Sequence, residues 1–241
     1  MAYHGLVVSD FHLFRRETSP EARLADIIAR VQGKDFLVLN GDMFDFRWTG
    51  LPTVAETEDA ALDWLKQLAR CLEKVRILYV FGNNDCHTAY LGRLRRELAE
   101  FTLLQCFPAF AQIDDVFFCH GDIPVFFPFL SPYSRILRRD IKRKSETYQA
   151  CFETLIQPWL RALTRKIFTP RRSARNIRRA FRNHPVPFST PIRRVYFGHI
   201  HVPFEDLTFG GLRFFNTGAH LPSCQNAWLE LEVSRLDING R

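Results

Sequence analysis

Asp10 and His12 stand two positions apart, in Ser9-Asp10-Phe11-His12, at the end of a short apolar run. Four later clusters have the same character: Gly41-Asp42-Met43-Phe44-Asp45, Gly82-Asn83-Asn84-Asp85, His120-Gly121-Asp122 and Gly198-His199-Ile200-His201. Between them they offer seven donors to divalent metal ions. Asp10, Asp42 and Asn83 supply oxygen, and His12, His120, His199 and His201 supply nitrogen. A carboxylate has two oxygens, so Asp42 can bridge two ions ~3.5–4 Å apart, the spacing of two-metal hydrolytic sites. Mixed carboxylate and imidazole donors suit Mn²⁺, Fe²⁺ or Zn²⁺ better than Ca²⁺; the donor types do not select among the three, of which Mn²⁺ is the expected ion. Such a pair makes a water acidic enough to attack phosphorus near neutral pH and offsets charge on the phosphoryl oxygens. No nucleophilic serine or cysteine is required. Beside the ligands, Asp45 is expected as a cap or a hydrogen-bond acceptor, and Asp85 and Asp122 as groups that orient Asn83 and His120.

Elements must bring these residues together, because Asp10 and His201 lie far apart in the chain. Each cluster follows a run rich in Val, Leu and Phe, at 5–8, 36–39, 77–81, 116–119 and 195–197. Runs of that length read as buried strands. In open α/β sheets a ligand site lies beyond the carboxyl ends of the strands, so five strand ends can converge on one spot. With extended backbone, Asp10 and His12 would point to the same side, as would His199 and His201. The glycines at 41, 82 and 198 are expected to let the chain turn sharply there.

Helical spacing of apolar residues predicts helices over 21–31, 56–73 and 91–99, alternating with strands at 3–9, 35–40 and 76–81. That rhythm argues for parallel strands joined by right-handed crossovers. Further strands are expected at 107–113, 116–119 and 194–197. Those at 205–209, 212–216 and 228–233 are expected to close a second sheet, with Gly210-Gly211 as a hairpin turn.

The 241 residues are expected to form one domain, with an insertion over 123–186. The insertion opens on Pro124-Val125-Phe126-Phe127-Pro128-Phe129, read as an apolar wedge for lipid contact, with a core-packing loop as the alternative. Helices are expected near 134–144, 146–167 and 174–181, with Pro158 kinking the second. Between Arg135 and Arg182 stand 15 Lys/Arg against Asp140, Glu146 and Glu153, a net of +12, whereas the whole chain carries +7. The remainder is therefore acidic, at −5. Such asymmetry points to an anionic partner: a phosphorylated substrate, an acidic membrane surface or, second in preference, nucleic acid. The arginines of 171–182, Arg171, Arg172 and Arg175 among them, are candidates for that contact. Trp48 is a candidate for lining the substrate pocket. No run approaches the ~20 apolar residues of a membrane span, and the start lacks a signal-peptide core. The expected location is cytoplasmic, peripheral to the inner membrane face. The six cysteines are scattered without a C-x-x-C pair and read as free, mostly core thiols. His4, His184 and His220 are read as bystanders, and His87 as a surface histidine.

The ordered set D-x-H, G-D-x-x-D, G-N-x-D, H-G-D and G-H-x-H resembles the calcineurin-like metallophosphoesterase superfamily from Asp10 to His201. The resemblance implies a four-layer α/β/β/α sandwich. It implies one ion on Asp10, His12, Asp42 and His201 and another on Asp42, Asn83, His120 and His199. The spacing of the motifs, Phe44-Asp45-Phe46-Arg47-Trp48 and the helical insertion resemble the UDP-2,3-diacylglucosamine diphosphatases. Tyr148-Gln149-Ala150 and Pro158-Trp159-Leu160 add to that likeness. It implies pyrophosphate hydrolysis in lipid A synthesis, giving UMP and a lipid monosaccharide phosphate, with the insertion as a helical lid over acyl chains. One position departs. Where relatives carry histidine or arginine after the G-N asparagine, this chain has Asn84, which can donate a hydrogen bond but cannot act as an acid. A different superfamily phosphodiesterase or nuclease is the alternative. A non-enzymatic module is disfavoured by the full set of seven donors.

Overall fold

A computed structural model describes residues 2–122, 141–156, 169–183, 190–222 and 224–240. Two sheets form its centre. The first contains β1 (Tyr3–Val8), β2 (Phe36–Asn40), β3 (Arg76–Val80) and β4 (Leu104–Phe107), all parallel, with β10 (Leu229–Val233) antiparallel beside β1. The second contains β5 (Phe110–Ile113), β6 (Val116–Cys119), β7 (Arg194–Phe197), β8 (Phe204–Phe209), β9 (Leu212–Asn216) and β11 (Ile238–Gly240), in the order β11-β5-β6-β7-β9-β8. Strands β6, β7 and β9 run parallel to one another, so their carboxyl ends share one edge.

The central strands, β2, β3, β6 and β7, are mostly apolar because both faces of each sheet are covered there, whereas β8 and β10 at the sheet edges carry exposed acidic residues. Along β1, Leu6 and Val8 point outward and Val7 points between the sheets. The outer face of the first sheet receives α1 (Pro20–Arg30), α2 (Val54–Cys71) and α3 (Thr88–Glu97), through Ile27, Leu62, Leu65, Leu68 and Leu94. Each start is capped by a side chain that accepts a backbone N–H: Ser19, Thr53 and His87. Between the sheets, Val7, Val38 and Val80 meet Val116, Phe118, Tyr196 and Phe215. The outer face of the second sheet, with Phe117, Val195, Phe197 and Phe214, is covered by Ala174 and Ile177 of a helix at Pro170–Asn183. The layers are thus α/β/β/α, the expected fold.

Several expectations change. The run 107–113 is not one strand. Pro108 follows β4, and the chain crosses to begin β5 in the other sheet, because proline cannot donate to a ladder. The strand at 229–233 joins the first sheet, not the second. Strand β11 is short and glycine-containing and gave no sequence signal.

Within the insertion, residues 123–140, 157–168 and 184–189 lie outside the described set, and with them the Pro124–Leu130 wedge, Pro158 and His184. Residues 141–145 form no helix. Next come α4 (Glu146–Cys151), a π-helical turn at Phe152–Ile156 and α5 (Pro170–Asn183). Here α5 is a wall of the body rather than part of a cover. It buries Ala174, Ile177 and Ala180 against the second sheet and exposes Arg171, Arg172, Arg175, Arg179 and Arg182. Phe181 meets the Phe117 ring edge-on, and Arg178 donates to the Gly210 carbonyl at the β8–β9 turn. As the crossover between parallel β6 and β7, α5 runs from the edge bearing the strands' carboxyl ends toward the opposite edge. Among the described residues no helix is long and apolar enough to cross a membrane.

Candidate active site

All five motifs meet at the carboxyl edge of the two sheets. Asp10 and His12 follow β1, Asp42 follows β2, Asn83 follows β3, His120 follows β6, and His199 and His201 follow β7. His201 Nε2 lies 3.2 Å from Asp10 Oδ1 and 3.2 Å from His12 Nε2, and His12 Nε2 lies 3.9 Å from Asp10 Oδ1. His120 Nε2 lies 3.2 Å from Asp42 Oδ2 and 4.0 Å from Asp10 Oδ1. Two three-residue groups therefore converge, Asp10 with His12 and His201, and Asp10 with Asp42 and His120. The His199 ring is 5.3 Å from the His120 ring.

The backbone achieves this differently from the extended arrangement expected. Asp10, His12, Asp42, His199 and His201 have φ of 54°, 49°, 51°, 68° and 56°. All five sit in the left-handed region, which is uncommon for side-chain-bearing residues, though Asp and His tolerate it better than most. Strain of this kind persists only where surroundings hold it, and it gathers at functional sites. Here the holding contacts are visible. Asp10 N–H donates to Gly41 O, His12 N–H to Asp42 O, and His220 N–H to Asp10 O. The glycines at 82 and 198 serve a purpose other than turning. A Cβ at Gly82 would overlap the Asp42 carboxylate, and one at Gly198 would overlap the Asp10 carboxylate.

Other side chains orient the donors. Asp45 Oδ2 lies 3.3 Å from His12 Nδ1, while its Oδ1 accepts from the N–H groups of Arg47 and Trp48. The expected acceptor role of Asp45 is thus realised on the Arg47 and Trp48 N–H groups, with His12 beside its other oxygen. The Ser9 hydroxyl donates to Asp10, and His120 Nδ1 is 3.3 Å from the Asn40 carbonyl. Asn216 donates to the Gly198 carbonyl. Asp122 is buried and raises the pKa of His120 by its charge. Asp85 is fully buried and binds Met43, Gly82 and Tyr79. Sequence reasoning missed Ser9, Asn40, Asn216 and Cys224, the last of which hydrogen-bonds His201. The signal lay in Asn216-Thr217-Gly218-Ala219-His220, a sixth polar strand end, after β9. His220 is a packed core histidine and not a donor to the site. It is buried edge-on to Phe11 and Trp228 beneath Asp10, and burial, with Arg23 nearby, pushes its pKa down to about 3. His87 is not a surface residue. It is largely buried, caps α3 and lies 2.7 Å from Glu58.

Electrostatically the site is two buried carboxylates compensated by imidazoles. Burial raises the Asp10 and Asp42 carboxyls, but the lowering by His120, joined by His201 at Asp10 and by His12 and Asn84 at Asp42, adds up to more and holds both below the usual range. Burial disfavours charge on His120, yet Asp42 and Asp10 raise it. His201 is likewise raised to about 9: burial opposes its charge, but Asp10 and Cys224 together favour it by more. Burial and then His120 lower His199. Burial and the Asp42 charge push Asp85 up to about 7.

The donor set fits divalent ions. Ligand atoms 2.0–2.2 Å from one ion and at right angles about it stand roughly 3 Å apart. Two of the three separations among Asp10, His12 and His201 match that, at 3.2 Å each, and the third is wider at 3.9 Å. Asn83 Oδ1 is buried and accepts no hydrogen bond, as a free ligand oxygen would.

Two groups of candidates lie apart from these donors. Trp48 is at the rim, its ring 4.5 Å from Phe152 and 5.8 Å from Tyr148. The insertion docks there, Lys144 N–H donating to Arg47 O and the Gln149 amide to Thr49 O. Arg171, Arg172 and Arg175 are on the outer face of α5, at its end nearer the site edge.

Solved structures of similar fold include a dimetal phosphatase from Danio rerio, 11% identical, covering 95% of this chain and 91% of that one, TM-score 0.48. A phosphoesterase from E. coli is 14% identical, with 95% and 87% covered and a TM-score of 0.43. An archaeal phosphodiesterase is 11% identical, with 95% and 99% covered and a TM-score of 0.44. Among curated proteins no match to this chain is found. Residues 5–203, which span every one of the five motifs, match the model of the calcineurin-like phosphoesterases. With most of its length matched, the chain belongs to the calcineurin-like phosphoesterase family and is a metal-dependent hydrolase.

Proposed function

We propose that Asp10, His12, Asp42 and His201 hold one divalent ion and that Asp42, Asn83, His120 and His199 hold a second, with Mn²⁺ as the ion. We propose further that the bond cleaved is a phosphoric anhydride. The substrate is of the UDP-2,3-diacylglucosamine type, and the products are UMP and a lipid monosaccharide phosphate. When bound, the ions supply charge to the phosphoryl oxygens and make an attacking water acidic near neutral pH.

One observation carries the choice of an anhydride. Asn84 donates its backbone N–H to Asp42 Oδ1 at 2.8 Å and its amide to Asp42 Oδ2 at 2.6 Å. It orients the carboxylate shared by both subsites and has no proton to give. A leaving group that needs protonation gains nothing from it. A phosphate leaving group, with a conjugate acid of pKa near ~6, needs none. The lipid is supported by the rim. Trp48, Tyr148 and Phe152 form an aromatic wall beside the Asp45 loop, and Tyr148 and Leu155 are exposed there. Exposed apolar surface of this kind marks a contact site.

The test is release of UMP from UDP-2,3-diacylglucosamine by the purified protein with Mn²⁺. Release supports the reading. Cleavage of a chromogenic phosphodiester without UMP release would move the substrate to another phosphodiester.

The arginine face of α5 is proposed to lie on an anionic membrane surface, where each arginine contributes about 1 kcal/mol. Arg179→Glu with Arg182→Glu is then expected to lower binding to phosphatidylglycerol vesicles by at least about tenfold. Hydrolysis of a soluble phosphodiester should be unchanged, since both residues lie toward the far end of α5. Undiminished vesicle binding, with loss of oligonucleotide binding instead, would assign the face to nucleic acid. Deleting α5 is a poor test, because it would expose the second sheet and remove burial worth about 1.5–3 kcal/mol per large side chain.

A further inference from the structure

Asp85 ties together three pieces of backbone that must agree if two ions are to share Asp42. Its side chain is completely buried. Oδ2 accepts the Met43 N–H at 2.7 Å, immediately after Asp42. Oδ1 accepts the Gly82 N–H at 2.7 Å, immediately before Asn83. The Tyr79 hydroxyl, from the interior of β3, donates to Oδ2 at 2.8 Å. The two loops are also joined by Phe46 N–H on Asn84 O and by the backbone N–H and side-chain amide of Asn84 on Asp42. Those further links are a long backbone bond and two bonds to the ligand carboxylate itself. Only Asp85 is anchored outside both loops, through Tyr79, to the sheet.

We propose that Asp85 is the positioning residue that sets Asn83 against Asp42, and so decides whether the ion on Asn83, His120 and His199 binds. This rests on the two-ion reading above. A carboxylate suits the task because both its oxygens only accept, and here every facing group is a donor. An asparagine at 85 would present an NH₂ to one of those donors. The Asp10, His12 and His201 side has no contact with Asp85 in this arrangement and should keep its ion. The effect is therefore asymmetric, unlike general destabilisation. Groups that orient ligands typically alter metal affinity by about 10–100-fold when replaced.

The experiment is calorimetric titration of the metal-free full chain with Mn²⁺, with electron paramagnetic resonance of the loaded protein. The wild type is expected to take two ions and give the spectrum of a spin-coupled pair. Asp85→Asn is expected to keep one ion at wild-type affinity, weaken the other at least about tenfold, and give an isolated-ion spectrum at one equivalent or more. Tyr79→Phe, which keeps the carboxylate and removes one donor, is expected to weaken the same ion by less. It carries the test if Asp85→Asn shows no cooperative thermal transition. Two ions of unchanged affinity in Asp85→Asn, or in Tyr79→Phe where that variant stands in, would overturn the proposal. Equal weakening of both ions would also overturn it. A single ion in the wild type would instead remove the two-ion reading, and this proposal with it.

Discussion

Asp42→Ala is expected to abolish turnover of every phosphate substrate, lowering kcat/KM by at least about 10³. Transition-state charge offset by metal ions is worth several kcal/mol, and each 1.36 kcal/mol is tenfold in rate, so loss of that assembly has this scale. The reason it should be total lies in how many partners converge on one carboxylate. Asp42 is buried, with His120 Nε2 at 3.2 Å and both Asn84 donors on its oxygens. Among the described residues no other carboxylate is placed to replace it. Asp10 reaches His120 only at 4.0 Å and already serves His12 and His201. Removing the Asp42 side chain also takes the acceptor from both Asn84 donors and the neighbouring charge from the buried His120 imidazole. Metal content measured on the same sample should fall below two per chain. Full turnover with the alanine variant would overturn the reading of Asp42 as the shared ligand.

The convergence itself was legible because the donors follow apolar runs, and the runs are strands. What periodicity could not deliver was backbone conformation at the donors. Five of them adopt φ near +50° to +70°. A two-residue spacing looks the same whether the chain is extended or curls through the left-handed region. Only the contacts of Gly82 and Gly198 with the two carboxylates reveal how tightly the loops are threaded. Sheet membership was equally beyond the pattern. The apolar residues of β10 would suit either sheet, and pairing with β1 was decided by tertiary packing. Pro108, by contrast, was a readable signal for the break between β4 and β5.

The insertion shows a further limit. Its basic residues are plain in the sequence, yet their spacing does not say what the other side of a helix covers. On α5 the apolar side is the missing outer layer of the second sheet, and the arginines face outward. Around α4 the aromatic residues do stay near the rim, against Trp48. One segment thus combines fold-completing and site-flanking parts, and composition alone merges them.

Asn84→His is expected to widen the chemistry rather than destroy it. The histidine variant would keep the backbone N–H that binds Asp42 Oδ1, because that bond does not depend on the side chain. It would give up the amide bond to Asp42 Oδ2 and gain an imidazole able to carry a proton. A positioned general acid contributes about 10²–10⁴ when the leaving group requires protonation. The expected gain is therefore about 10² in kcat/KM on phosphodiesters with alkoxide leaving groups. Anhydrides and nitrophenyl esters, whose leaving groups depart as stable anions, should change little. Across a series of esters, the wild-type rate should fall steeply as the leaving group becomes more basic, and the variant's rate should fall less. A new loss of activity should appear on the alkaline side of the pH profile, as the imidazole gives up its proton. A uniform change across the series, with no altered slope and no new pH limb, would mean that Asn84 acts only by holding Asp42. The restriction to good leaving groups would then have to lie in the donor set itself.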